Sequence, residues 1–272
     1  MRLPEFKVEQ WMTKYEGRAV YNMTDTCVQA ITFAELAGDM DPGGIVLDYG
    51  TITGDEQTKT EIAKLYQNKD LDTITTAHGC LEANELVIYT LLEPGDHVIV
   101  FVPGYQQFSQ LPASIGCSVS EIRCEEDKGW LPDLQTVERA VTPQTKMILL
   151  NNPNNPTGAL WQGQRLRELI DLCRAHDLYL FSDEVYRDIE DQPSISDLYE
   201  KGISTASLSK SFGLAGLRYG WVKADKDIID QINVRRDYAF VSNGPLADAL
   251  AQSALKEKEK WIRRGKDLVA AI

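Results

Sequence analysis

Hydrophobic and polar positions change rhythm along this chain. Residues 5–16 carry the spacing of a short helix. Residues 24–48 hold no clear period, and Asp41-Pro42-Gly43-Gly44 is a turn sequence. From about residue 55 a steady alternation of elements begins. Residues 57–68 and 81–92 read as helices, the second stopped by Glu93-Pro94-Gly95. His97–Val102 is an unbroken apolar run of strand length. Residues 105–114 are predicted helical, 118–122 a strand and 133–141 a helix. A strand at 146–151 ends on Asn-Asn-Pro, and a helix follows at 164–176. Within it Leu166, Leu169, Ile170 and Cys173 fall at i, i+3, i+4 and i+7, one helix face. Residues 178–182, 203–208 and 219–223 are three further strands.

Strands that alternate with helices, and that are apolar throughout, predict a mostly parallel sheet covered on both faces. The expected fold class is therefore α/β, a three-layer α/β/α sandwich. In such sheets ligands bind beyond the carboxyl ends of the strands. Three of those ends are unusually polar. They read Asn151-Asn152-Pro153-Asn154-Asn155-Pro156-Thr157-Gly158, Ser182-Asp183-Glu184-Val185-Tyr186, and Ser207-Leu208-Ser209-Lys210-Ser211-Phe212-Gly213-Leu214-Ala215-Gly216-Leu217-Arg218. Singly each has an ordinary explanation: a turn, a helix cap, a solvated lysine. Together they bring a carboxylate, a phenol, an amide, an amine, a guanidinium and hydroxyls to one crevice. That inventory suits an anionic, aromatic, electrophilic ligand better than solvent.

These segments closely resemble those of the fold type I pyridoxal phosphate (PLP) enzymes, specifically the class I/II aminotransferases. The family pattern is an N-P-x-N-P-T-G loop, an S-D-E-x-Y strand end and an S-x-S-K-x-x-G-x-x-G-x-R loop. All three stand here in family order, with eight positions from Lys210 to Arg218. The resemblance runs from about residue 45 onward. It implies an aspartate aminotransferase-like large domain with a seven-stranded type of sheet.

The resemblance also implies residue roles. Lys210 would hold pyridoxal 5′-phosphate as a Schiff base and, once displaced, serve as the base that moves the Cα proton. Asp183 would keep the pyridine nitrogen protonated. Asn155 and Tyr186 would hydrogen-bond the ring's phenolic oxygen. Arg218 and Ser207, with Ser209, would hold the phosphate. Gly79-Cys80-Leu81 lies where the family has a phosphate-binding turn at a helix start. Cys80 and Leu81 depart from the usual small or hydroxylated residues, so the backbone role survives and a hydroxyl contact does not. Tyr105 matches the aromatic that stacks on the ring, and it joins Lys210 and Asp183 in the expected catalytic set. Tyr49-Gly50-Thr51-Ile52-Thr53-Gly54 resembles a Y-x-x-x-x-G segment whose tyrosine reaches the phosphate of the partner subunit, which implies a homodimer.

Composition narrows the classes further. The chain has 272 residues, 43% of them apolar and 25% charged, enough for a sizeable core. A formal net charge of −13 gives no general attraction for nucleic acid or anionic membrane. The five cysteines form no C-x-x-C pair, which points to reduced thiols in a cytoplasmic protein. His78, His97 and His176 show no metal-ligand spacing, so no metal is expected. The start, MRLPEFKVEQW, does not read as a signal peptide, and no apolar run spans a bilayer.

The expected organisation is an N-terminal segment at 1–45, a PLP-binding large domain at 46–255, and at 256–272 the start of a helix leading to a small C-terminal domain. The family's small domain, with its arginine for the substrate α-carboxylate, has no match here. The expected activity is a PLP-dependent transaminase working between an amino acid and a 2-oxo acid. A carbon–sulfur β-lyase or another Cα-carbanion enzyme of the same fold is one alternative, and a truncated PLP-binding form with little activity is another.

Overall fold

The apolar runs become the middle layer of the protein. The computed structural model describes residues 2–271. Seven strands form one sheet: β1 (Ile74–Ala77), β2 (His97–Val102), β3 (Ser118–Arg123), β4 (Thr145–Asn151), β5 (Tyr179–Asp183), β6 (Gly202–Ser207) and β7 (Gly220–Lys223). Their spatial order is β1-β7-β6-β5-β4-β2-β3. The pairs from β6 through β5, β4 and β2 to β3 are all parallel, whereas β7 runs antiparallel to both β6 and β1.

Helices cover both faces. They are α1 (Lys7–Tyr15), α2 (Phe33–Ala37), α3 (Glu56–Ala63), α4 (Cys80–Leu91), α5 (Gln107–Ser114), α6 (Leu134–Ala140), α7 (Gly163–Ala175), α8 (Arg187–Glu190), α9 (Ile195–Leu198), α10 (Lys226–Arg236), α11 (Pro245–Lys256) and α12 (Lys258–Ala270). In β2, Val98 and Val100 pack with α4, α5 and α10, while Ile99 packs with α6 and α7. In β4, Met147 and Leu149 take the first face, Ile148 and Leu150 the second. Side chains alternate across a strand, so two covered faces require the continuous apolar runs seen in the sequence. Each such side chain, fully buried, contributes about 1.5–3 kcal/mol. At the β1–β7 end, Ile74 and Trp221 pack under α2, α3, α11 and α12.

The elements differ from the sequence expectation in places. The helix predicted at 57–68 ends at Ala63. The unpatterned stretch 24–48 contains α2, held by a capping box: the Thr32 hydroxyl accepts the Glu35 N–H, and Glu35 accepts the Thr32 N–H at 2.7 Å. The helix expected at 256–272 is present as α12 but begins at Lys258. Lys256 closes α11, the chain turns at Glu257, and α12 lays Trp261 and Gly265 against the body. Ile272 of that expectation lies outside the described residues.

Because β2, β4, β5 and β6 run the same way, Val102, Asn151, Asp183 and Ser207 end at one edge of the sheet. The two neighbours of β4 lead the chain in opposite directions, β2 outward to β3 on one side and β5 to β6 on the other. Such a switch opens a crevice at the carboxyl edge.

Candidate active site

A pocket of about 560 Å³ sits at that edge. Cys80, Leu81, Tyr105, Asn155, Asp183, Tyr186, Ser207, Ser209, Lys210 and Arg218 all line it. These ten sequence-selected residues come from five separate segments. Gly79 adjoins it as the residue before α4, and a Cβ on Gly79 would lie 2.4 Å from Arg218 Nη2. Tyr49 is not brought there: it is 71% exposed and lines none of this pocket.

Asp183 ends β5 and is 5% exposed. Its carboxylate accepts the Asn84 side-chain amide at 2.8 Å and the Val185 N–H at 3.0 Å. Burial pushes its carboxyl above the usual range, against those uncharged donors and the more distant Lys210. A buried carboxylate whose hydrogen bonds come from neutral amides fits a cationic ring N–H as its missing counter-charge.

Lys210 follows β6. Its ammonium donates to Thr26 Oγ1 at 2.8 Å, lies 3.4 Å from Cys27 Sγ, and sits 6.0 Å from the centre of the Tyr186 ring. Burial works to lower the affinity of this amine for its proton. Tyr186, Cys27 and Asp25 outweigh it, so the group is held above the ordinary lysine range. Tyr186 donates its O–H to Thr26 at 3.0 Å and receives the Asn155 amide at 3.5 Å. The Asn155 backbone N–H is fixed by Asn151 Oδ1 at 2.7 Å. A phenol and an amide therefore meet beside the amine.

The opposite end of the pocket is built for an anion. α4 begins at Gly79 with no side-chain cap, which leaves its first N–H groups directed outward. Arg218 crosses this helix start, and among the described residues it donates to carbonyls, of His78 at 3.2 Å and Ala215 at 3.1 Å. Ser207 and Ser209 border the same space, with the Ser209 N–H on Ser207 Oγ at 3.2 Å. A guanidinium that meets no carboxylate among the described residues, an uncapped helix of twelve residues and two hydroxyls form a cradle that fits a phosphate dianion. His78 turns aside: its ring rests 4.3 Å from that of Phe240, and Nε2 meets the Ser242 carbonyl at 3.2 Å.

Tyr105 forms a wall. Its ring packs 5.1 Å from Phe6, and its O–H donates to Glu9 at 3.3 Å. Several site residues carried no sequence signal. Thr26 comes from the unpatterned stretch, as does Cys27 beside Lys210, and Val8, Glu9 and Met12 come from α1. Asn84, Gln107 and Thr205 support Asp183 from within elements that read as packing segments. Among the described residues no group of three or more His, Cys, Asp or Glu is placed to hold a metal, all five cysteines are free, and no helix is long and apolar enough to cross a membrane.

The family model described as Aminotransferase class I and II matches residues 19–271. A PLP-dependent aminotransferase structure from Streptococcus suis 89-1591 superposes with a TM-score of 0.92 at 38% identity, over 97% of this chain and 74% of that one. Capreomycidine synthase from Streptomyces vinaceus is 29% identical over 96% of this chain and 70% of its own length. Alanine aminotransferase from Mycobacterium tuberculosis is 31% identical over 72% of this chain, which spans about half of that enzyme, 46%.

Proposed function

This chain belongs to the class I and II aminotransferase family, and from that footing we propose that its pocket binds pyridoxal 5′-phosphate and moves an amino group between an amino acid and a 2-oxo acid. The observation that carries this is the placement of Lys210, Asp183 and Arg218 around a single 560 Å³ pocket. An amine, a buried carboxylate and a guanidinium that meets no carboxylate among the described residues suit the aldehyde, ring nitrogen and phosphate of that one molecule.

When bound, the cofactor supplies an electron sink for charge developing at the substrate Cα. The chain's residues do the rest. Arg218, Ser207, Ser209 and the N–H groups at the start of α4 fix the phosphate. Asp183 holds a proton on the ring nitrogen. Asn155 and Tyr186 orient the ring oxygen, and Tyr105 closes one face of the ring. The Lys210 amine anchors the cofactor and, when released, carries the proton from Cα. Thr26 holds that amine beside the phenol of Tyr186.

The proposal includes a cytoplasmic homodimer. Leu47 and Leu246 line a surface groove beside Gly216 and Leu217, next to the Arg218 loop, and Tyr49 stands exposed close by in the chain. An apolar patch there suits a second copy, with Tyr49 reaching the partner's phosphate. Sedimentation equilibrium tests the assembly, and a monomer at micromolar concentration would rule it out.

An absorbance spectrum of the purified chain tests the cofactor. A visible band after PLP addition that is absent in Lys210→Ala, and that borohydride bleaches while fixing the cofactor covalently to the protein, supports the reading; no band from the wild-type chain refutes it. A second reading is favoured by the match of 96% of this chain to 70% of capreomycidine synthase, a relative not named for amino transfer. In that reading the same loss of the Cα proton leads to elimination or ring closure. Amino transfer that depends on an added 2-oxo acid, compared with release of ammonia or a cyclic product without one, separates the two.

A further inference from the structure

We propose that Asn84 is the positioning residue that keeps Asp183 ionised and aimed at the cofactor ring, through a directional chain of hydrogen bonds. This rests on the cofactor reading above. Asn84 lies on the buried face of α4, among Ala83, Leu86, Val87, Ile88 and Leu91, and is 1% exposed. An unpaired amide there would be destabilising, because burial strips its water without replacement. Each polar atom of this side chain is matched.

The direction of the chain is set from both ends. Gln107 Nε2 donates to the Leu81 carbonyl at 2.7 Å, which leaves Gln107 Oε1 as the acceptor facing Asn84. Asn84 Nδ2 donates to that oxygen at 3.1 Å and to Asp183 Oδ2 at 2.8 Å. The Thr205 hydroxyl donates to Asn84 Oδ1 at 2.5 Å. Flipping the amide would set its oxygen against two acceptors, Gln107 Oε1 and Asp183 Oδ2. The side chain is therefore held with a hydrogen on Asp183. An N–H donor bonds the carboxylate form far better than the acid.

The other groups facing Asp183 are few. Val185 N–H donates from the residues after β5, the buried Cys80 thiol sits on α4, and the Lys210 amine follows β6. Burial opposes ionisation, and Asn84 is the side-chain amide that counters it. The role is one of positioning, since Asn84 acts through Asp183.

The test uses the full chain loaded with PLP labelled with ¹⁵N in the ring. In Asn84→Leu the ring ¹⁵N signal moves toward its unprotonated position, and kcat falls about 10- to 100-fold with KM nearly unchanged, the loss of one hydrogen bond to a charged group. Asn84→Ala removes the same donor with a smaller side chain, so it gives the same displacement and carries the test if the leucine variant does not fold. Thr205→Val gives a smaller shift in the same direction. A wild-type cofactor band with a ring signal unmoved in the folded Asn84 variants overturns the positioning role alone. No cofactor band from the wild-type chain overturns the cofactor reading and this inference with it.

Discussion

Replacing Gly79 by alanine separates backbone strain from phosphate binding at one atom. Gly79 precedes α4 with φ 83° and ψ 174°. That region is open essentially to glycine, and forcing another residue into it costs about 1–3 kcal/mol. The new Cβ would stand 2.4 Å from Arg218 Nη2, 2.9 Å from Cζ and 3.2 Å from Nη1. All three atoms belong to the mobile end of one side chain, so the clash resolves by moving the guanidinium. Stability therefore falls by the strain alone, and the melting temperature by about 2–10 °C. Cofactor affinity falls separately. Losing a charge-assisted bond, about 1.5–3 kcal/mol, weakens binding roughly 10- to 150-fold.

Thermal melts of the cofactor-free chain and absorbance titrations with PLP read the two effects independently. Gly129→Ala is the control: it has φ 66° and ψ 28° with no atom within 4 Å of the added Cβ. It loses about 1–2 kcal/mol of stability and no affinity. If displacement of Arg218 is the cause, adding Gly79→Ala to Arg218→Ala weakens binding little further, because both remove the same contact. A Gly79→Ala chain that melts lower yet binds PLP as wild type refutes the phosphate role of Arg218. One that is unchanged in both measurements refutes the local geometry.

Three further outcomes follow from the same structure. The Lys210 amine must be neutral to attack an aldehyde, and its surroundings hold it above the ordinary lysine range, so the neutral fraction rises about tenfold per pH unit below that range. Stopped-flow loading of the cofactor-free chain should climb in proportion between pH 6 and 9, and a plateau in that window would contradict it. Tyr186→Phe removes the hydroxyl that meets Asn155 and Thr26. Losing a donor to the ring oxygen disfavours its charged form, so the pH midpoint of the visible band rises by about one unit; a fall or no change in a spectrophotometric titration counts against the assignment. Thr32→Ala removes the side-chain half of the α2 capping box, the hydroxyl that accepts the Glu35 N–H, and costs about 0.5–2 kcal/mol in denaturant unfolding, with cofactor affinity unaltered.

What the sequence reveals depends on whether a residue's role is set locally. Asp183, Asn155 and Lys210 were legible because each stands at or just beyond a strand end, where a polar cluster breaks an apolar run. The three-layer sandwich was legible for the same reason, since strands such as Met147 to Leu150 must be apolar on both faces. The antiparallel direction of β7 was not: Gly220–Lys223 reads as an apolar run in either direction, and its orientation follows only from pairing with β6 and β1. Thr26 was silent because it lies in an irregular stretch whose place is fixed by contacts 160 and 184 positions away, with Tyr186 and Lys210. Asn84 was silent for the opposite reason, being one polar residue in a well-formed helix. Its weight appears only when Gln107, Thr205 and Asp183 arrive from three other elements. The local pattern thus marks the groups that line the pocket. The groups that hydrogen-bond them from other elements are marked only by the fold.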